Sequence, residues 1–138
     1  MNQAGSIGAI GATLMAGYRL FQGKKSAFYP LIMIIGSLLE KEGFDQKDKR
    51  LISSVIYNRL NKKMKLQIDA TVIFAITNGK YDLNRKLLRS DLKINHPFNT
   101  YIYNGLPPEP ISYVGKKTLD ILFIFFIAAS RDHRLPNS

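Results

Sequence analysis

The chain has 138 residues, with 20 Lys plus Arg against 10 Asp plus Glu and a formal net charge of +10. It contains no cysteine and only two histidines, which excludes disulfide frameworks, thiolate zinc sites and cysteine nucleophiles and leaves little for a histidine-rich metal centre. Its 46% hydrophobic content argues against global disorder, and its length suits one domain or a piece of a larger one.

Residues 5–15 are small and apolar, but the first cation is Arg19. A secretory signal carries its positive charge before the apolar run, so no export signal is read here. Glycines at 5, 8, 11 and 17 make residues 1–29 a poorly structured segment. Pro30 then opens a helix in which Leu31, Ile34, Ile35, Leu38 and Leu39 repeat with helical period, and Gly43 stops it. Asp45 or Asp48 caps a second helix whose apolar stripe is Leu51, Ile52, Val55, Ile56 and Leu60. After a polar break at 61–63, residues 70–77 read as helix or strand, and Asn78-Gly79 is a turn. Ser90 is a good cap for a short helix that ends before Pro97. Residues 100–103 (TYIY) are aromatic and β-branched and read as extended; residues 105–110 (GLPPEP) form a rigid loop. A last helix starts within 114–120. The run 121–129 (ILFIFFIAA) is half the length of a membrane span, which needs about 20 residues, and reads as a buried strand or core helix. The expected fold class is α+β, with amphipathic helices packed on short strands and a proline-rich loop.

The positive charge is uneven. Residues 47–93 hold twelve Lys or Arg against four Asp. Such a segment suits phosphate, anionic lipid or an acidic polymer, or is simply a solvated face. There is no zinc finger and no RNP aromatic pair, so nucleic acid is not the expected partner.

Several residues stand out as candidates for chemistry. Glu40 and Glu42 share the first helix, about 200° apart at about 100° per residue. Glu42 falls in line with the apolar stripe. Glu40 falls above Gly36 and beside Ser37, where small side chains leave room for a ligand. Partial burial would raise a glutamate's pKa, as a general acid near neutral pH requires. The plainer alternatives are an exposed Glu40 and a Glu42 at a frayed helix end. Asp69 is a second carboxylate, a helix N-cap, or both. Asn99, Thr100 and Tyr101, followed by the stiff loop at 105–108, read either as a sugar-binding wall or as a structural loop with a core tyrosine.

Four segments in order, LLEKEG (38–43), SSVIYNRL (53–60), MKLQIDATVIF (64–74) and FNTYIYNGLPPEPI (98–111), resemble the catalytic domain of the MltG/YceG-like endolytic murein transglycosylases. The resemblance runs from about residue 32 to residue 115. It implies a YceG-like catalytic core over 30–117 and a divergent, shortened segment over 118–138, with 121–129 as the remnant of a strand. By the same resemblance Glu40 is the acid/base, supported by Glu42. Asn58 and Arg59 match an NRL element, Gln67 and Asp69 line the cleft, and Asn99, Thr100 and Tyr101 match an NTY element. Departures are Ile68 and Ala70 where the family tends to have Thr and Pro, and Glu109 where Gly is common. The implied reaction cuts peptidoglycan strands between N-acetylmuramic acid and N-acetylglucosamine without metal or organic cofactor. The implied partners are glycan strands and cell-wall synthesis proteins. The implied location is the periplasmic face of the bacterial inner membrane, although no anchor is visible in the sequence. Read against that family, the chain is expected to be a truncated member. Two alternatives stay open: an inactive remnant that binds glycan or a partner, and a basic nucleic-acid-binding module.

Overall fold

The computed structural model describes residues 28–134; the expected poorly structured segment 1–29 lies outside it except for its last two residues. Four α-helices follow in order: α1 (Phe28–Glu42), α2 (Gln46–Asn61), α3 (Asp69–Thr77) and α4 (Lys116–Arg134). One 3-10 turn, Asp91–Lys93, interrupts the long connection between α3 and α4. Helix α1 is central, and α2, α3 and α4 all pack on it; α2 also packs on α4.

Pro30 sits in the first turn of α1, where backbone N–H groups have no helical partner, so it costs the helix nothing. The inward face carries Ile32, Ile34, Ile35, Leu38 and Leu39, all buried. Of these, Ile32, Ile35, Leu38 and Leu39 share one core cluster with Ile56 of α2, Leu66 and Ile68 of the α2–α3 connection, Ile111 of the proline loop and Leu122 of α4. Burying a side chain of this size contributes about 1.5–3 kcal/mol.

Helix α2 begins with reciprocal capping. Asp45 accepts from the Asp48 N–H at 2.8 Å, and Asp48 accepts from the Phe44 N–H at 3.3 Å. Its expected stripe is only partly inward. Ile56 is buried and Ile52 packs on the core, but Leu51 and Val55 are exposed at 59% and 46%. Ser53 takes an inward place instead, its hydroxyl satisfied by the Lys49 carbonyl. Helix α3 ends in two left-handed residues, Asn78 (φ 58°) and Gly79 (φ 72°), which close the turn read from the sequence.

The α+β expectation is overturned: the described residues contain helices, turns and loops, and no strand. Two segments account for the difference. Residues 100–103 have strand-like composition but form a turn, with the Ile102 and Tyr103 N–H groups donating to the Asn99 carbonyl at 3.1 and 3.0 Å. The Asn99 side chain accepts from the Tyr101 N–H at 2.9 Å, so these donors are satisfied locally and no partner strand is needed. The run 121–129 is part of α4. Ile121 and Leu122 face inward and Phe123, Ile124 and Ile127 outward, a helical and not a period-two division.

Gly36 decides how closely the chain returns to α1. A Cβ there would lie 2.7 Å from Val114 Cγ1 and 3.4 Å from a Leu122 methyl. The space expected for a ligand beside Gly36 is therefore filled by the protein's own chain. Ser37 is also fully buried, and its hydroxyl accepts from the Ile111 N–H at 3.0 Å. Gly36→Ala is expected to cost about 1–3 kcal/mol in urea melts through overpacking. Val114→Ala in the same chain should recover part of that loss; additive losses would contradict the contact.

Candidate active site

The two glutamates at the end of α1 point to different surroundings. Glu40 Oε2 accepts from the Gly115 N–H and the Thr118 hydroxyl, each at 2.7 Å. Lys49 Nζ lies 3.5 Å from Glu40 Oε1 and donates to Thr118 Oγ1 at 2.9 Å. Gly115 immediately precedes α4 and Thr118 lies in its first turn, so Glu40 acts as the acidic cap of that helix from another element. Partial burial pushes the Glu40 carboxyl up, but the Gly115 N–H, the Thr118 hydroxyl and the Lys49 ammonium outweigh it and hold it below the usual value of 4.5. The raised pKa expected for a general acid at this position is not what the structure gives.

Glu42 lies on the other side of the helix. Its residue is exposed, yet its carboxylate turns against the start of α3 and accepts weakly from the Ala70 N–H at 3.3 Å. Partial desolvation pushes its pKa up; the Ala70 N–H opposes this and the nearby Asp69 charge adds to it, with a net rise above 4.5. Glu42 also lines a cavity of about 570 Å³, together with the apolar Ile73, Phe74 and Ile111.

Asp69 opens α3 as its first residue; Ile68 holds the cap position without a side-chain bond, so the capping alternative is not realised. The Asp69 carboxylate instead accepts from the Tyr101 hydroxyl. Burial, that hydrogen bond and the charges of Asp69 and Glu42 push the Tyr101 phenol up to about 12, despite the opposing Arg59. Tyr101 thus stays a neutral donor, and Glu42, Asp69 and Tyr101 form one interacting cluster.

Threonines hold this cluster in place. Thr100 Oγ1 accepts from the Ile68 N–H at 2.9 Å and meets Thr71 Oγ1 at 2.8 Å. Arg59 Nη1 donates to the Leu66 carbonyl at 2.5 Å. Between these pins, Gln67 is held at φ 53° with its N–H on the Thr100 carbonyl. A non-glycine residue in the left-handed region is uncommon and persists where its neighbours fix it. The Gln67 side chain is exposed. Asn58 is exposed on α2, and its carbonyl accepts from the Lys62 N–H. Asn99 is fully buried and donates to the Leu92 and Ile94 carbonyls at 3.0 and 2.8 Å, which makes it a brace and not a wall facing a ligand.

The structure therefore gathers Glu42, Asp69 and Tyr101, sets Thr100 behind them, and separates Glu40 from them. Lys49, Thr118, Thr71 and Ser37 were not singled out as supports by sequence reading. Lys49 and Thr118 are 69 residues apart, and no local pattern joins them.

Comparison with known proteins agrees with the four ordered segments. The profile of the YceG-like family matches residues 18–123. The chain belongs to the YceG-like family. It is 38% identical over 106 residues to an endolytic murein transglycosylase of Bacillus subtilis, covering 72% of this chain and 28% of that protein. It is 40% identical over 83 residues to an endolytic murein transglycosylase of Streptococcus pneumoniae, covering 58% of this chain and 15% of that one. A crystal structure of a yceG-like protein of Listeria monocytogenes superposes with a TM-score of 0.62 at 37% identity, covering 78% of this chain and 34% of the other. The chain thus spans between about one seventh and one third of the length of these relatives.

Because Glu40 is stabilised in its charged form, its contribution to stability is full above about pH 4.5 and is lost as pH falls through its lowered pKa. Glu40→Gln is expected to lower unfolding free energy by about 2 kcal/mol at pH 7. The gap between the variant and the original chain should shrink below pH 4.5. A gap that does not change with pH would contradict the role of the charge.

Proposed function

We propose that this chain carries the glycan-cleaving centre of an endolytic murein transglycosylase, with Glu42 as both acid and base. The observation that carries the reading is the contrast on α1: the Glu42 carboxyl has a raised pKa and opens on a cavity, whereas Glu40 is held ionised by three donors. The names of the relatives supply the reaction class.

Glycosidases with two carboxylates use one as acid and one as base or nucleophile. A lytic reaction needs no attacking water, and one carboxyl can serve twice. Protonated Glu42 gives its proton to the glycosidic oxygen as the bond to the muramic C1 breaks. The resulting carboxylate then takes the proton of the muramic C6 hydroxyl while that oxygen bonds to C1 and closes an anhydro ring. Glu42 ends protonated, and the products are an anhydromuramic end and a free sugar hydroxyl. Asp69, held by Tyr101, raises the Glu42 pKa and places negative charge near the cationic transition state. Glu40 serves as a positioning residue that fixes the end of α1. The substrate would be peptidoglycan outside the cytoplasmic membrane, with cell-wall synthesis proteins as the fitting partners. Among the described residues no helix is long and apolar enough to cross a membrane.

Digestion of purified murein, read by mass spectrometry, tests the assignment. Glu42→Gln should reduce anhydromuramic products by about 10²–10⁴-fold without lowering the melting temperature. Glu40→Gln should keep measurable turnover below its own melting temperature. Because the first step needs protonated Glu42, the rate should fall with rising pH through a pKa above 4.5. Normal turnover in Glu42→Gln would overturn the assignment, and murein binding without cleavage by the original chain would favour a binding remnant.

A further inference from the structure

The cavity beside Glu42 has a chemical character that bond cleavage alone does not require. Its volume of about 570 Å³ falls within the range of small-ligand pockets, about 300–1,000 Å³. Ile73, Phe74 and Ile111 give it an apolar part of its lining. Lys41 and Lys80, from the end of α1 and the turn after α3, line it too. Both are exposed, and neither forms an ion pair among the described residues. Tyr81 lies beside them, 59% exposed, its hydroxyl at 3.5 Å from the Ile76 carbonyl. The lining therefore offers two ammonium groups, an open aromatic ring and apolar side chains, beside the carboxylates of Glu42 and Asp82.

Charge defines what can enter. With Glu42 protonated, as its first step needs, the cavity carries two cations against Asp82. A neutral glycan has no group that needs two ammonium ions. A muramic acid residue does, because its lactyl ether carries a peptide with free carboxylates. The turn that presents Lys80 and Tyr81 is fixed by the left-handed pair Asn78 and Gly79, with the Asn78 N–H on the Phe74 carbonyl at 2.7 Å. The cation and the ring are thus set against the same wall that contributes Phe74.

We propose that this cavity is a specificity subsite for the carboxylate-bearing peptide of the substrate, with Lys41 and Lys80 pairing its carboxylates and Tyr81 packing against its sugar. This deepens the transglycosylase reading and rests on it. It makes the centre selective for peptide-bearing strands over neutral N-acetylglucosamine polymers. The contacts are solvent-accessible ion pairs, so each is expected to be modest and to weaken with salt.

Binding separates this inference from the cleavage chemistry. The 138-residue chain carrying Glu42→Gln would be titrated with three probes: a murein tetrasaccharide with its peptides, the same tetrasaccharide with its peptide carboxylates amidated, and chitotetraose. The peptide-bearing probe should bind best, and amidation should remove most of the preference. Adding Lys41→Gln and Lys80→Gln should weaken the peptide-bearing probe by roughly three- to tenfold and leave chitotetraose within about twofold. The lysine effect should shrink between 50 mM and 500 mM salt. A preference for the peptide-bearing probe that survives both lysine substitutions would overturn the inference, as would binding of none of the probes. Failure of the original chain to make anhydromuramic ends would instead count against the cleavage reading, and the binding comparison stands apart from it.

Discussion

Glu40 of α1 accepts from the Gly115 N–H and the Thr118 hydroxyl at the start of α4, while Lys49 of α2 faces its other oxygen and donates to the same threonine. One partly buried carboxylate thereby joins three helices from distant parts of the chain. It supplies an acceptor for backbone N–H at a helix start, a counter-charge for a lysine and a favourable charge for the helix dipole. Close packing at Gly36, where Val114 and Leu122 meet α1, sets the distance at which this bond can form. Apolar packing at Gly36 and the polar contacts of Glu40 thus act on the same pair of helices, α1 and α4.

The consequence reaches Glu42, two residues further on. At about 100° per residue the two carboxylates face opposite sides, and fixing one orients the other. The first side is dense in donors and keeps its carboxylate charged. The second has one weak donor, partial desolvation and a neighbouring aspartate, and favours the proton. A single helix end thus holds two chemically distinct carboxyls, one held below its usual pKa and one raised above it. Around Glu42, the threonine pair and Arg59 hold the strained backbone at Gln67, which sets where Asp69 begins α3 and meets Tyr101.

Periodicity made α1 legible, because its apolar repeat and its observed buried face coincide at Ile34, Ile35, Leu38 and Leu39. Capping chemistry made the start of α2 legible through Asp45. Composition misled at 100–103 and 121–129. Strand-like residues form a sheet only when a neighbour takes up their backbone groups, and here Asn99 and helix α4 do so instead. The order of motifs was enough to place the chain in its family. It did not report the surroundings of Glu40 and Glu42, since these depend on Thr118, Gly115 and Ala70, which lie 28 to 78 residues away. Periodicity reported that the two glutamates face opposite ways, but not which way held donors and which held a cavity. Asn99 shows the same limit: its amide is saturated by carbonyls of the preceding turn, so a residue type suited to sugar binding is spent on holding the loop.

Two glutamates on one helix are held with pKa values displaced in opposite directions. Carbon-13 NMR of the glutamate side-chain carboxyls, followed from pH 2 to 8 with assignments from Glu40→Gln and Glu42→Gln, measures this directly. The midpoint is expected below 4.5 for Glu40 and above 4.5 for Glu42. A reversed order, or two midpoints indistinguishable from 4.5, would contradict it.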